Sequence, residues 1–134
     1  MHIRLITAVT LALLSHHASA KECWALSEVR GQVAFSGEKY AFQADKFSNP
    51  MLLCFNDEKT GSVSGDDTSF TRFGVSTLIG WAQNKDIELV ETYQIDRARG
   101  QVLITKTRIG TASVIPGGPD LVGSFAGKAT RLKE

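Results

Sequence analysis

Histidine and cysteine are scarce in this 134-residue chain. All three histidines, His2, His16 and His17, fall within the first twenty residues, and there are only two cysteines. After the first twenty residues, no window approaches the roughly 20 consecutive apolar residues that a membrane-spanning helix needs. Charge of one sign is not in excess either, with 15 lysines and arginines against 14 aspartates and glutamates. This balance argues against binding to nucleic acid or to anionic membranes through net charge.

The first twenty residues have the pattern of a cleaved signal peptide. A short basic segment, Met1 to Arg4, precedes an uncharged run from Leu5 to Leu14, and Ala18 to Ala20 (ASA) supplies the small residues that a signal peptidase accepts. We therefore expect a mature chain that begins at Lys21 and is periplasmic or secreted. Cleavage would remove every histidine.

A mature chain without histidine excludes several kinds of active site. It has no Ser-His-Asp triad, no Cys-His pair and no histidine-ligated zinc. The acidic stretch from Asn56 to Asp67 has Gly61 at the sixth position of a twelve-residue calcium loop, but its first residue is Asn56 and its last is the short Asp67. We therefore predict a solvated loop there, no metal or cofactor, and a protein that is not an enzyme.

Both cysteines lie in the predicted mature chain. Export carries them to a compartment where thiols oxidise, so we predict a Cys23–Cys54 disulfide. The bond would close a loop of about 31 residues and stabilise the fold by up to about 3.7 kcal/mol.

Alternating apolar residues and twelve glycines indicate strands joined by turns. The sequence predicts an all-β fold of about eight strands, either a small antiparallel barrel or a two-sheet sandwich, in one domain from 21 to 134. The segments that carry the pattern are 31–35, 39–45, 51–55, 73–81, 87–95, 101–109 and 121–132. Residues 56–69 are expected to form an exposed loop or a short hairpin centred on Val63, residues 22–29 one helical turn, and residues 115–120 a turn.

The hairpin from Ile87 to Ile109 carries the candidate ligand site. If a five-residue turn, Asp96 to Gly100, pairs Ile95 with Gln101, then Glu91 lies opposite Thr105 on an apolar face. A carboxylate on such a face must be paired or neutralised by a raised pKa. The candidate ligand-binding residues are Glu91, Tyr93, Thr105 and Trp81, and Trp24 and Tyr40 are further aromatic candidates. The alternative is a rim carboxylate that is bonded to Thr105 or to an arginine.

Basic residues are concentrated toward the end of the chain. Residues 96–134 contain seven basic and three acidic side chains, a net of +4. With Lys106 and Arg108 pointing outward, Arg97, Arg99, Lys106 and Arg108 are expected to form a basic patch for a phosphate, a glycan or an acidic partner. The alternative is ordinary solvated surface.

Two phrases, ETYQIDRARGQVLIT from Glu91 to Thr105 and GSFAGKA from Gly123 to Ala129, resemble a strand–turn–strand passage of small exported bacterial β-rich proteins of unknown function. The resemblance covers about a third of the chain and implies no catalytic residue. The overall profile is also similar to that of periplasmic inhibitors of secreted metalloproteases, although no motif matches them.

Three functions are compatible with the sequence. The leading hypothesis is an exported, non-enzymatic binding protein that holds a partner protein or a small ligand. The second is a protease-inhibitor-like protein with an exposed N-terminal arm tethered by Cys23. The third is a histidine-free hydrolase, which needs two carboxyl groups in one cleft.

Overall fold

The computed structural model describes residues 21–111 and 118–133. The predicted signal peptide, residues 1–20, lies outside the described residues, as does part of the predicted turn at residues 115–120. Nine strands and one 3-10 helix are present: β1 (Glu22–Phe35), the 3-10 helix (Ser36–Glu38), β2 (Gln43–Lys46), β3 (Met51–Phe55), β4 (Thr60–Val63), β5 (Asp66–Phe73), β6 (Thr77–Gln83), β7 (Ile87–Asp96), β8 (Gln101–Gly110) and β9 (Leu121–Arg131). Within the described ranges, no helix has the length and apolarity to cross a membrane.

Eight strands close into an antiparallel barrel, which confirms the predicted fold class. The order is β1-β3-β4-β5-β6-β7-β8-β9, and β9 pairs with β1 to complete the ring. The additional strand, β2, pairs with β1 only. We call the end that carries the β7–β8 turn the lower end, and the end that carries the β6–β7 turn the upper end.

Along one edge, β1 pairs first with β3 and then with β2. Its first residues, 22–26, pair with β3, and its later residues, 30–33, pair with β2. The register on β9 shifts between Ser27 and Arg30, and Glu28 has a positive φ of 52° in this bulge. Bulges of this kind bend a strand and increase its twist. The wall formed by β3, β4 and β5 is shorter than the wall formed by β7, β8 and β9, because its strands have five, four and eight residues against ten, ten and eleven.

Apolar side chains from alternate strand positions fill the lower part of the barrel. The largest fully buried ones are Tyr93, Phe55, Leu26, Leu53, Leu78, Ile104 and Val102. Phe70 meets the Tyr93 ring edge to face with ring centroids 5.6 Å apart. Gly80 makes room for this aromatic pair, because an added Cβ would lie only 2.5 Å from the Phe70 ring. The interior is therefore a packed core.

The predicted disulfide is present. Cys23 on β1 lies directly opposite Cys54 on β3, and the two are bonded. The bond joins the first strand to the short wall of the barrel.

The hairpin of β7 and β8 forms as predicted, but its register differs by one residue. Asp96 pairs with Gln101, and Glu91 therefore lies opposite Lys106 rather than Thr105. The turn is shorter than expected because Gly100 adopts a positive φ of 63° and the Asp96 carboxylate accepts a hydrogen bond from the Arg99 N–H. The shift reverses the two faces of β8, since side chains alternate along a strand.

Several local predictions were wrong. Residues 22–29 belong to β1 and do not form a helical turn, and β2 begins only at Gln43. The segment 73–81 is not one strand, because a turn containing Gly74 separates β5 from β6. In the segment 56–69, by contrast, the structure confirms the predicted alternative of a short hairpin, which β4 and the start of β5 form around Val63.

Candidate functional site

Glu91 occupies the inner face of β7, where apolar side chains dominate. Strand alternation places it on the same side as Tyr93 and Ile95, and its side chain is only 4% exposed. This confirms the predicted inward orientation of Glu91. It is the one charged residue of the described chain that is fully buried.

Two groups approach the Glu91 carboxyl from other strands. The Lys106 Nζ of β8 lies 3.6 Å from Glu91 Oε1. The carboxyl group of Asp66, at the start of β5, lies close enough to that of Glu91 for each to shift the other's pKa. The second Glu91 oxygen, Oε2, is buried and receives no hydrogen bond from a protein donor. We refer to Asp66, Glu91 and Lys106 together as the interior triad.

The two carboxyl groups of the triad have opposite pKa shifts. Burial, followed by the hydrogen bond and the negative charge of Asp66, raises the pKa of Glu91 to about 7, against the lowering effect of Lys106. Burial also acts to raise the pKa of Asp66, but hydrogen bonds from Glu91 and Thr68 hold it below its usual range. Below neutral pH, Glu91 therefore carries a proton that it donates to an ionised Asp66.

Aromatic rings surround the lysine of the triad. Lys106 Nζ lies 5.1 Å from the centroid of the Phe47 ring and 5.9 Å from that of Tyr93. Phe47 in turn packs against Phe125, with ring centroids 4.8 Å apart. These cation–π contacts hold the ammonium group near the carboxyl pair. Burial, together with the charges of Glu91 and Asp66, raises the pKa of the Tyr93 hydroxyl.

The four predicted ligand-binding residues do not form one site. Glu91 and Tyr93 point into the barrel, whereas Thr105 and Trp81 point outward and are exposed. Thr105 faces away because of the one-residue register shift, and its hydroxyl is hydrogen-bonded to that of Thr92 on the outer surface. Of the other aromatic candidates, Trp24 is in the core. Tyr40 is half-exposed and donates a hydrogen bond to the Asp120 carboxylate.

The predicted basic patch is not formed, because its four members point in different directions. Lys106 belongs to the interior triad, and Arg108 donates hydrogen bonds to the carbonyl groups of Pro119 and Gly118. Arg99 forms an exposed ion pair with Asp96. The one-residue register shift in β8 places Lys106 and Arg108 on the inner face, whereas the predicted patch required them on the outer face.

Arg97, the fourth patch residue, closes the lower end of the barrel. Its guanidinium donates two hydrogen bonds to the Glu22 carboxylate, at 2.5 and 3.2 Å, and one to the Ser76 hydroxyl. It also lies 5.6 Å from the ring centroid of Trp24 and 5.5 Å from that of Phe55. We call Glu22 and Arg97 the lower ion pair.

A second surface feature appears on the outside of β6, β7 and β8. Nine outward side chains lie there in three cross-strand rows, and none is charged: Thr77, Ile79, Trp81, Val90, Thr92, Gln94, Leu103, Thr105 and Thr107. Trp81, Val90 and Leu103 are 55%, 47% and 51% exposed. We call these nine residues the β6–β8 face. The β6–β8 face was not predicted, because the expected register placed Leu103, Thr105 and Thr107 of β8 inside the fold.

The interior triad resembles an acid–base pair, since two neighbouring carboxyl groups have pKa values pushed apart. Its burial, however, keeps solvent-borne substrates away from Glu91 in this conformation. The N-terminal arm of the inhibitor hypothesis is not exposed either, because β1 pairs with both β3 and β9. In the described part of the chain, no cluster of three or more acidic, histidine or cysteine side chains is arranged to hold a metal ion.

No protein-family model matches this chain, and no curated protein or solved structure is significantly similar to it.

Proposed function

We propose that this is an exported, non-enzymatic protein that binds a partner protein through the β6–β8 face. The observation that carries the proposal is the exposure of Trp81, Val90 and Leu103 on a three-strand surface without a charged side chain. Trp81 and Val90 are cross-strand partners and Leu103 lies two rows away, and large exposed apolar side chains on one surface are typical of interaction sites. Aromatic residues are enriched in the centres of protein interfaces, where charged residues are depleted.

The packed interior favours surface recognition over a small ligand held inside the barrel. Tyr93 and Ile104 fill the space directly below Glu91 and are buried. Hydroxyl and amide side chains, such as those of Thr107 and Gln94, supply hydrogen-bonding groups around the exposed apolar residues. The chemistry of the face matches an uncharged, partly apolar surface on the partner.

Export is supported by the signal-peptide pattern of residues 1–20 and by the pairing of both cysteines in a disulfide. We propose a periplasmic or secreted location on these grounds. Mass spectrometry of the native product tests this part of the proposal, and an amino terminus at Lys21 is the expected result.

Site-specific photo-cross-linking in the producing cell tests the binding surface. A photoreactive residue at Thr107, on the β6–β8 face, is expected to capture one protein in stoichiometric amounts. The matched control is the same probe at Ser62, an exposed position on β4, which lies across the barrel four strands from β8. Equal capture from both positions, or cross-linking of two copies of this chain only, would contradict the proposal.

Affinity measurements with the purified partner then locate the contact. Trp81→Ala is expected to weaken binding at least about tenfold, as for an aromatic residue at the centre of an interface. Leu52→Ala, which shortens an exposed apolar side chain on the opposite wall, is expected to leave the affinity unchanged. An unchanged affinity of the Trp81→Ala variant would remove the β6–β8 face from the proposal.

A further inference from the structure

The start of β5, at the tip of the β4–β5 hairpin, carries a carboxyl group that acts on the charged groups of β7 and β8. Asp66 begins β5 immediately after the turn at Gly65, and its carboxyl reaches the Glu91 carboxyl of β7. β6 runs between these two strands, and its residue opposite Glu91 is Gly80. Because Gly80 has no side chain, Phe70 and Thr68 of β5 approach it closely on the inner face, which brings β5 side chains toward β7.

A hydrogen bond between two carboxyl groups requires a proton, since two carboxylates offer only acceptors. The buried Glu91 Oε2 has no protein donor, so a proton on Glu91 gives this oxygen a way to bond to the neighbouring Asp66. Thr68 donates its backbone N–H to Asp66 Oδ1 at 2.9 Å, which favours the ionised form of Asp66. The proton therefore belongs on Glu91, with its O–H donating to Asp66.

We propose that Asp66 and Glu91 form a proton-binding site, and that the bound proton fastens the tip of the β4–β5 hairpin to β7. With the proton in place, the triad contains one ammonium and one carboxylate and is neutral. Without it, two adjacent carboxylates face one ammonium in apolar surroundings, and repulsion separates Asp66 from Glu91. The groups that face Glu91 are Asp66 of β5, Lys106 of β8 and Tyr93 of its own strand.

Backbone pairing along the β4–β5 hairpin is short, and its turn is held to β3 by the Ser64 backbone N–H and hydroxyl, which bond to Leu52. β4 has only four residues, and its pairing with β5 is irregular between Gly61 and Val63. β4 also pairs with β3 at only three positions, Leu53 to Phe55. Few ladder hydrogen bonds hold such a segment, so local opening is inexpensive compared with global unfolding. This inference does not depend on the proposed partner.

A pH titration followed by NMR tests the proposal on the intact mature protein. The Glu91 side-chain carboxyl ¹³C resonance is expected to titrate with a midpoint of about 7, and the Gly65 amide to shift with the same midpoint. A Gly65 amide that does not respond between pH 5.5 and pH 8.5 in the unmodified protein would overturn the proposal without any variant.

Variants then test whether the Gly65 amide responds to the protonation of Glu91. Glu91→Gln keeps a hydrogen-bond donor but cannot titrate, so the Gly65 response is expected to disappear. Asp66→Asn removes the neighbouring negative charge, so the midpoint of Glu91 is expected to fall, and the Gly65 midpoint with it. The matched control is Asp67→Asn, which makes the same charge change one residue later at an exposed position. A Gly65 response that persists in the Glu91→Gln variant, or an Asp67→Asn variant that loses it, contradicts the assignment.

Discussion

Two of the glutamates in the barrel, Glu22 in the lower ion pair and Glu91 in the interior triad, have opposite pKa shifts. At the lower end, Glu22 accepts hydrogen bonds from Arg97 and from the Trp24 indole N–H. Burial acts to raise the pKa of Glu22, but these donors outweigh it and lower the pKa. In the interior triad, Glu91 has one cation at 3.6 Å and an unpaired oxygen, and its pKa is raised.

Two things separate these carboxyl groups: Glu91 is more deeply buried and lies beside a second carboxyl group, whereas Glu22 has more hydrogen-bond donors. An arginine fork satisfies both oxygens of Glu22, whereas the Lys106 ammonium approaches only one oxygen of Glu91. Glu22 therefore stays ionised, and its ion pair with Arg97 closes the lower end of the barrel. The interior triad is a site that gains and loses a proton near neutral pH.

The dependence of stability on pH tests this comparison with the largest expected effect. The pKa of Glu91 rises from 4.5 to about 7 on folding, so the folded state binds more protons between these values and the free energy of unfolding falls as pH rises. Between pH 5 and pH 8 the decrease is expected to reach about 2.5 kcal/mol, less if the hairpin opens and relieves the repulsion. Urea denaturation at several pH values measures it.

The control for this measurement is the Glu91→Gln variant, whose stability is expected to be flat over the same range. No histidine titrates among the described residues, so other side chains contribute little in this window. Carboxylates with lowered pKa values, Glu22 among them, act at lower pH and with the opposite sign. A stability that rises from pH 5 to pH 8 would show that the proton on Glu91 is misassigned.

The lower ion pair is tested by removing its donor. Arg97→Ala leaves the Glu22 carboxylate partly buried with fewer hydrogen bonds, and we expect a loss of about 2 kcal/mol in the free energy of unfolding at pH 6. Part of this loss comes from the packing of the guanidinium over Trp24 and Phe55. The measurement is chemical denaturation.

Arg99→Ala is the matched control for this variant. It removes an arginine from the same turn, but the ion pair with Asp96 is on the surface, so the expected change is within about 0.5 kcal/mol. Equal effects of the two substitutions would mean that Arg97 is no more important than a surface charge.

The sequence predicts the strands well because their apolar residues alternate clearly. In β7, Tyr93 and Ile95 alternate with polar residues, and Glu91 was correctly placed on their side. In β8, both faces carry apolar residues, Val102 and Ile104 on one side and Leu103 on the other. Alternation alone could not choose between them, and the choice depended on the length of a turn.

The candidate site was harder to predict than the fold because one member comes from a distant strand and another is revealed only by the exact hairpin register. Asp66 begins β5, two strands from Glu91 in the barrel order, and was taken for part of a solvated loop. Lys106 looked like a surface residue because only the correct register reveals its acidic partner. No local pattern distinguishes a buried lysine of this kind from an exposed one.

The smallest expected effect concerns the lysine of the triad. Lys106→Met keeps an unbranched side chain beside Phe47 and Tyr93 but removes the positive charge that lowers the pKa of Glu91. We expect the midpoint of the Glu91 carboxyl to rise by about one pH unit, because an opposite charge at this distance favours ionisation. NMR titration of the variant measures this, with Lys128→Met, at an exposed ion pair, as control. If the midpoint stayed the same, Asp66 and Glu91 would set the titration without Lys106. The different pKa shifts of Glu22 and Glu91 would then come from the neighbouring carboxyl group and not from the number of donors.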